Sequence, residues 1–315
     1  MRLFENTHID FLGKRKKFYL VSIIVIIVGI ITLIMNPIPL GIDFQGGTEL
    51  QLKFHDHIDI GSLRTTMDEA GFMGMELKTM GTDKDMLLRT PIQGEGTTVS
   101  DKIREAIDKG MPDNKYEIMR VDKVGPKIGS ELRRNAILAV VFSLLGILIY
   151  LSFRFQFTYA AGAVIGLLHD VLITISTIAI FHLLFPGLAL ELNQTMLAAF
   201  LTLIGFSVND TVIVFDRIRE NIKLFKNEEI EHVMNRSINA TLSRTVITSG
   251  TVFLTVFVLF LFGGEVLKSF SFTFGVGIIT GTYSSIFVSS ALVVDWKHRV
   301  LKKLSLNLRP ALKNK

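Results

Sequence analysis

Six apolar runs, each long enough to cross a bilayer, fall at 18–36, 135–153, 159–185, 195–215, 245–262 and 270–294. Inside lipid the backbone has no water to bond to, so each run is restricted to a helix. The runs therefore predict a polytopic α-helical membrane protein with six spans. The chain has 315 residues and is 49% hydrophobic, more than a soluble domain of this size needs for its core. Its aromatic residues are mostly Phe (24), which suits lipid contact. It has no cysteine, which excludes a disulfide framework and thiolate metal sites. The first run follows the basic stretch Lys14–Lys17, as a signal peptide would. Asn36-Pro37-Ile38-Pro39 follows it in place of a small-residue cleavage site, so it is read as an uncleaved span.

Basic residues set the orientation. They precede span one, occupy the links between spans two and three (Arg154) and four and five (Arg217, Arg219, Lys223, Lys226, Arg236), and follow span six. The alternate links, 186–194 and 263–269, carry one Lys between them. Both termini, 1–17 and the basic tail 295–315, are thereby expected in the cytoplasm, and 37–134 outside. The net charge of +5 reads as membrane orientation and not as nucleic-acid binding.

The outer segment reads as a small α+β domain. Strands are expected at Thr48–Phe54, Met75–Met80, Asp85–Thr90 and Lys115–Lys123, with a hairpin around Gly81-Thr82-Asp83-Lys84. Helices are expected at Ile60–Ala70, capped by Asp59, and at Val99–Lys109, capped by Thr97 or Thr98. The order βαββαβ is the split-βαβ, ferredoxin-like arrangement.

Within the spans, the informative residue is Asp210, in the otherwise uncharged run Thr195–Val214. A carboxylate there costs about 2.5–3.5 kcal/mol on insertion scales, and such residues usually serve protons or ions. Helical spacing puts Ser207, Asp210 and Arg217 of span four on one face. The same spacing groups Gly162, Gly166, Asp170 and Thr174 of span three, and Arg244, Thr248, Thr251 and Thr255 of span five. Small and hydroxyl residues also let helices pack closely. Asp170 reads either as a bond to a neighbouring helix or as a second carrier, and His169 as a hydrogen-bonded packing residue. Depth places Asp210 and Arg244 within reach of each other, directly or through water. Gly46-Gly47, between span one and the outer domain, reads as a hinge or a tight turn. Motifs such as Gly-x-Ser-x-Gly and His-Glu-x-x-His are absent, and the chain is read as no enzyme.

These residues together resemble the SecF family of the Sec protein-export machinery. The resemblance rests on Gly41-Ile42-Asp43-Phe44-Gln45-Gly46-Gly47-Thr48, Val124-Gly125-Pro126, the stretch Val208–Asn221 and Ser243-Arg244-Thr245, and covers nearly the whole chain. It implies the fold of resistance-nodulation-division exporters in a bacterial cytoplasmic membrane. It implies pairing with SecD, action beside the SecYEG translocon and factors such as YajC or YidC, and contact with an exported unfolded polypeptide. It implies coupling to protons, with sodium as the alternative ion, and no bound cofactor. Asp210 matches the family's proton-pathway carboxylate and Arg244 its partner. Asp170 and Thr248 complete the expected pathway, and Asp43, Gln45, Gly46 and Gly47 the expected domain junction. A small-molecule or lipid exporter of the same superfamily is the alternative. The roughly 95 outer residues are few for a substrate-binding porter domain.

Overall fold

The computed structural model describes residues 7–299, apart from 93, 95, 96 and 189; the outer ends of both expected cytoplasmic termini, 1–6 and 300–315, lie outside it. A 3-10 turn, Leu12–Lys14, leads into α1 (Arg15–Met35). The outer unit follows: a helical turn α2 (Ile42–Gln45), β1 (Gly47–Phe54), α3 (Ile60–Glu69), β2 (Glu76–Met80), β3 (Thr82–Thr90), α4 (Thr98–Gly110) and β4 (Tyr116–Val124). Then come α5 (Pro126–Arg154), α6 (Phe157–Leu184), α7 (Gln194–Leu224), α8 (Ile230–Phe262) and α9 (Gly264–Ser284), which continues through a π turn (Ser285–Ser289) to residue 299. Among the described residues, six helices are long and apolar enough to span a membrane: α1, α5, α6, α7, α8 and extended α9.

The four strands form one antiparallel sheet in the order β2-β3-β1-β4. Alternation along β1 sends Leu50, Leu52 and Phe54 to one face, where they pack under α3 and α4 on Leu63, Met67, Ile103 and Ile107. The opposite face carries Glu49, Gln51 and Arg89. Asp59 caps α3 by accepting from the Ser62 amide (2.8 Å). At α4 the expected cap is not made by Thr97, whose hydroxyl donates instead to the Asp101 carboxylate (2.5 Å). The hairpin is tighter than the expected four-residue turn: Gly81, at φ 76°, alone separates β2 from β3, and pairing extends to Met80 and Thr82.

In the membrane bundle, α6, α7 and α9 lie innermost, and α1, α5 and α8 flank them; 67% of the apolar stretch of α9 is buried against 11% of that of α5. Glycines set the closest approaches. A Cβ on Gly166 would collide with the Ser289 hydroxyl, one on Gly162 would meet Val293, and one on Gly281 would meet Ser207. The small residues of spans three and six thus act as packing surfaces for α9 and α7. α7 and α8 run as helix well beyond their apolar runs, to Leu224 and from Ile230. There Asn235 and Asn239 hold the backbone of Ile9, Phe11 and Leu12, and Arg15 bridges Glu231 (2.8 Å) and Asp295 (2.9 Å).

Candidate functional site within the bundle and at the domain junction

Asp210 lies midway along α7 and is buried. Its Oδ2 accepts from the Ser249 hydroxyl of α8 (3.0 Å), which in turn accepts from Thr282 of α9 (2.8 Å). Its Oδ1 is equally buried and meets no donor among the described residues. The carboxylate therefore faces α8, with α9 behind Ser249, and retains an open hydrogen-bonding position. Ser207 shares its buried face, as the spacing predicts. Arg217 does not: it is exposed and pairs with Glu220 (3.1 Å).

The polar face of α8 is one residue out of phase with the stripe read from the sequence. Thr241, Thr245 and Ser249 face the interior. Arg244, Thr251 and Thr255 are exposed and Thr248 is half-buried, while the Thr251 and Thr255 hydroxyls bond to carbonyls of their own helix. The described residues include no ion pair between Asp210 and Arg244; the guanidinium acts on the carboxylate only through space. One residue is about 100° of helix rotation, and a run of hydroxyls on both faces leaves that phase ambiguous until the helix is packed.

Asp170 of α6 is buried at 1% exposure and bonds to α7: its Oδ2 accepts from Ser207 (2.6 Å). Its Oδ1 lies 3.1 Å from Nδ1 of His169, whose Nε2 lies 2.8 Å from the Ser22 hydroxyl of α1. His169, read from the sequence as packing on a different face, is thus the direct partner of Asp170. Adjacency in a helix points two side chains about 100° apart, but the imidazole is long enough to turn back. Ser207 sits one turn from Asp210, so the two carboxylates share one polar seam.

At the junction, the Asp43 carboxylate accepts from the Gln194 amide (3.0 Å), the first residue of α7, beside the Asn193 cap on Met196 (2.8 Å). The Gly41 amide bonds to Leu192 O (2.8 Å) and the Leu192 amide to Pro39 O (2.9 Å). Gly46 and Gly47 have φ of 78° and 126°, and a Cβ on Gly47 would collide with the Thr90 carbonyl. The glycine pair is a turn held by its neighbours on both sides. Gln45 is exposed at its edge.

A buried ion cluster completes the junction. Cross-strand register lines up Glu76, Arg89 and Glu49 on the sheet face opposite the helices. Arg89, 5% exposed, bonds to Glu49 (2.6 Å), Glu76 (3.1 Å) and Glu191 of the α6–α7 loop (2.7 Å). Lys78 bonds to Glu76 (2.6 Å) and Glu191 (2.9 Å). Burial pushes the Glu49 carboxyl up, the Arg89 charge opposing it in part. Burial pushes Glu76 the same way, but bonds and charge from Lys78 and Arg89 outweigh it and hold that carboxyl below its ordinary value. The cluster borders a cleft of about 120 Å³ between sheet and bundle. Sequence reasoning missed it; the only available signal was charge at alternate strand positions beside a lone Glu in an otherwise uncharged outer loop.

Among the described residues, six helices long and apolar enough to span a membrane, two buried carboxylates on one seam and a small α+β unit docked on the bundle define a multi-pass membrane protein. A family model described as protein export membrane protein SecD/SecF, C-terminal, matches residues 102–299, and the SecD/SecF GG motif matches residues 31–56. The chain belongs to the SecD/SecF family of protein-export membrane proteins. It is 42% identical over 306 residues to the protein translocase subunit SecF of Rhodothermus marinus, covering 97% of this chain and 99% of that one. To the SecF subunit of Calditerrivibrio nitroreducens it is 42% identical over 297 residues, covering 92% and 94%. The crystal structure of SecDF, a translocon-associated membrane protein from Thermus thermophilus, superposes with a TM-score of 0.81 at 34% identity, over 93% of this chain. A second SecDF structure, in a super-membrane-facing form, gives 0.70 at 33% identity. The chain spans only 39% and 41% of the length of those two SecDF chains.

Proposed function

We propose that the chain is the SecF half of a SecD–SecF assembly that uses the proton gradient to drive late steps of Sec-dependent protein translocation. Asp210, Asp170, Thr248 and Arg244 belong to the ion pathway, with the proton as coupling ion and sodium as the alternative. The observation that carries this reading is Asp210 itself: a buried carboxylate at mid-helix, bonded through one oxygen and open at the other. Moving one proton through 100 mV yields about 2.3 kcal/mol, enough to bias a two-state element about fiftyfold.

The exposed face of α8 with Arg244, Thr251 and Thr255 supports a partner half. An arginine at that depth is costly against lipid and is accommodated by protein or water. SecD fills that role in this reading. The outer unit, 37–134, is of the ferredoxin-like type and contacts the exported polypeptide. Both termini are cytoplasmic, the membrane is the bacterial inner membrane, and SecYEG with YajC or YidC completes the assembly. Basic residues on alternate links support the orientation.

Asp210→Asn tests the proposal. It keeps the shape and the Ser249 bond and removes the titratable proton. The assembly should insert and purify normally yet lose gradient-stimulated export into inverted vesicles. Export that still responds fully to an imposed gradient would refute the proposal.

A further inference from the structure

His169 is the buried titratable group that the proposed pathway leaves unused, and its contacts have a direction. The Tyr283 hydroxyl of α9 lies 2.9 Å from the Phe18 carbonyl of α1 and 3.0 Å from the Ser22 hydroxyl. A carbonyl only accepts, so Tyr283 spends its single proton on Phe18. Ser22 must then donate to Tyr283, and His169 Nε2 must donate to Ser22 (2.8 Å). The remaining contact, His169 Nδ1 to Asp170 Oδ1 (3.1 Å), then holds one proton. That proton resides either on the carboxyl, with a neutral ring, or on the ring, with a carboxylate. In both cases the pair is neutral overall, as a buried site requires.

We infer that His169, Ser22 and Tyr283 form a proton relay that connects Asp170 to the N-terminal end of α1. The inference rests on the proton-coupled reading above. In one passage the Asp170 proton moves to His169 Nδ1 and the Nε2 proton moves to Ser22 Oγ. The Ser22 proton moves to Tyr283, and the Tyr283 proton leaves beside Phe18. One proton leaves the row, and the next enters only when Asp170 is protonated again. The ring changes tautomer, Asp170 is left as a carboxylate, and every donor in the row now points back toward it. The contact between Tyr283 and the Phe18 carbonyl identifies the present arrangement as the loaded one.

The surroundings fit a conducting row. The Tyr283 ring stacks on His169 (5.9 Å between centroids, 28°) and packs on Phe18 (5.7 Å) and Phe287 (5.4 Å), an aromatic sleeve. Phe18 is six residues, about 9 Å, from Leu12 at the helix start. Farther toward that end is the Asp295 carboxylate, which accepts from Tyr19 (3.4 Å) and Arg15 (2.9 Å) and is the acceptor for a departing proton. The polar groups facing the His169–Asp170 pair are Ser22 from α1, Ser207 from α7 with Asp210 a turn away, and Tyr283 and Ser284 from α9, the Ser284 hydroxyl bonding to Asp170. α5 reaches the start of α6 through Leu151 and pairs with α7 through Arg154 and Asp216 (2.7 Å).

Nitrogen NMR of histidine-labelled protein, in its native assembly in lipid, together with proton uptake by vesicles under an imposed gradient, tests the relay. In the native protein, raising the pH should move the His169 proton from Nε2 to Nδ1. Tyr283→Phe removes only a hydroxyl and cuts the row at its exit. Proton uptake should fall about a hundredfold or more, the lower end of what a lost proton-transfer group costs. Ser22→Ala should slow uptake equally while leaving the tautomer free to change. Native tautomer behaviour and native uptake in both variants would overturn the relay and make these residues packing only. Asp210→Asn separates the two ideas. If it abolishes uptake while both relay variants are normal, the relay fails and the coupling stands. If it leaves uptake intact, the coupling fails, and a pH-independent His169 tautomer in the native protein would overturn the relay as well.

Discussion

Glu191→Leu isolates the hold between the outer unit and the bundle. Glu191 is buried and accepts from Arg89 (2.7 Å) and Lys78 (2.9 Å), yet it lies in the α6–α7 loop and not in the sheet. Removing it leaves Arg89 paired with Glu49 and Glu76, so no buried charge is orphaned. The lost bond to a buried charged group is worth about 1.5–3 kcal/mol. The Lys78 bond adds less, because that side chain is 30% exposed and keeps Glu76. The docked-to-undocked ratio should fall about ten- to a hundredfold, at 1.4 kcal/mol per tenfold. Amide hydrogen exchange of the whole chain in lipid reads this directly. The Gly41 and Leu192 amides, whose bonds cross the junction, should exchange faster by that factor. Amides of Leu50, Leu52 and Leu88 inside the sheet should keep their native rates. Unchanged exchange at Gly41 and Leu192, or an equal rise within the sheet, would refute the assignment of Glu191 as the docking anchor.

Arg89→Met leaves the buried Glu49 without its cation and Glu76 and Glu191 with Lys78 alone, and should cost about 3–5 kcal/mol, measured by thermal unfolding. The sign with pH follows from Glu49, whose carboxyl burial already raises and which loses the opposing Arg89 charge. Stability from a raised group is present below its unfolded value and is lost as pH rises through the folded one, so the variant should recover in acid. Gly47→Ala puts a Cβ into the Thr90 carbonyl at φ 126° and should unfold the junction. Gly71→Ala, at φ 89° with nothing nearby, should cost only about 1 kcal/mol of backbone strain in the same melts. Gly166→Ala should separate α6 from α9 and lower the melting temperature in detergent, with Ser289→Ala restoring most of it because the colliding atom is the hydroxyl. Ser249→Ala should shift the infrared titration midpoint of Asp210 more than Arg244→Leu does, because the hydroxyl is in contact (3.0 Å) and the guanidinium is not.

Several features of this molecule are legible in its sequence, because each rests on one-dimensional signals. Span positions follow from hydropathy, the outer strands and helices from their periods, and the Asp59 cap from one residue at one helix start. The phase of α8 is not of that kind. Thr241, Thr245 and Ser249 alternate with Arg244, Thr248 and Thr251, and only packing on α7 and α9 selects the first set. The Arg89 cluster depends on strand register, which places Glu49, Arg89 and Glu76 side by side although they are up to 40 positions apart. Glu191 joins them only once the α6–α7 loop lies under the sheet. The bond between His169 and Asp170 depends on how an imidazole turns back along its own helix, which no periodicity records.

The same contacts suggest how events at Asp210 reach the outer unit. Asp210 lies sixteen residues, about 24 Å, from Gln194 along one unbroken helix. Gln194 is held by Asp43, four residues before the Gly47 that opens β1, and Glu191, just ahead of the helix, is held by Arg89 in β3. A tilt or shift of α7 is therefore delivered to the sheet at two points, one on each side of the helix start. α5 leaves the outer unit directly from β4 through Gly125 and Pro126, and Gly129 packs against Gly46 and Phe44. The unit is thus clamped between α5 and the loop that leads into α7. Such a clamp passes on relative movement of the two helices as rotation of the sheet, and it stays still if they move together. Coupling of this kind needs the carboxylate to bias two arrangements of α7 against its neighbours. Ser249 and Thr282 on one side and Ser207 with Asp170 on the other are the bonds that such a shift would exchange.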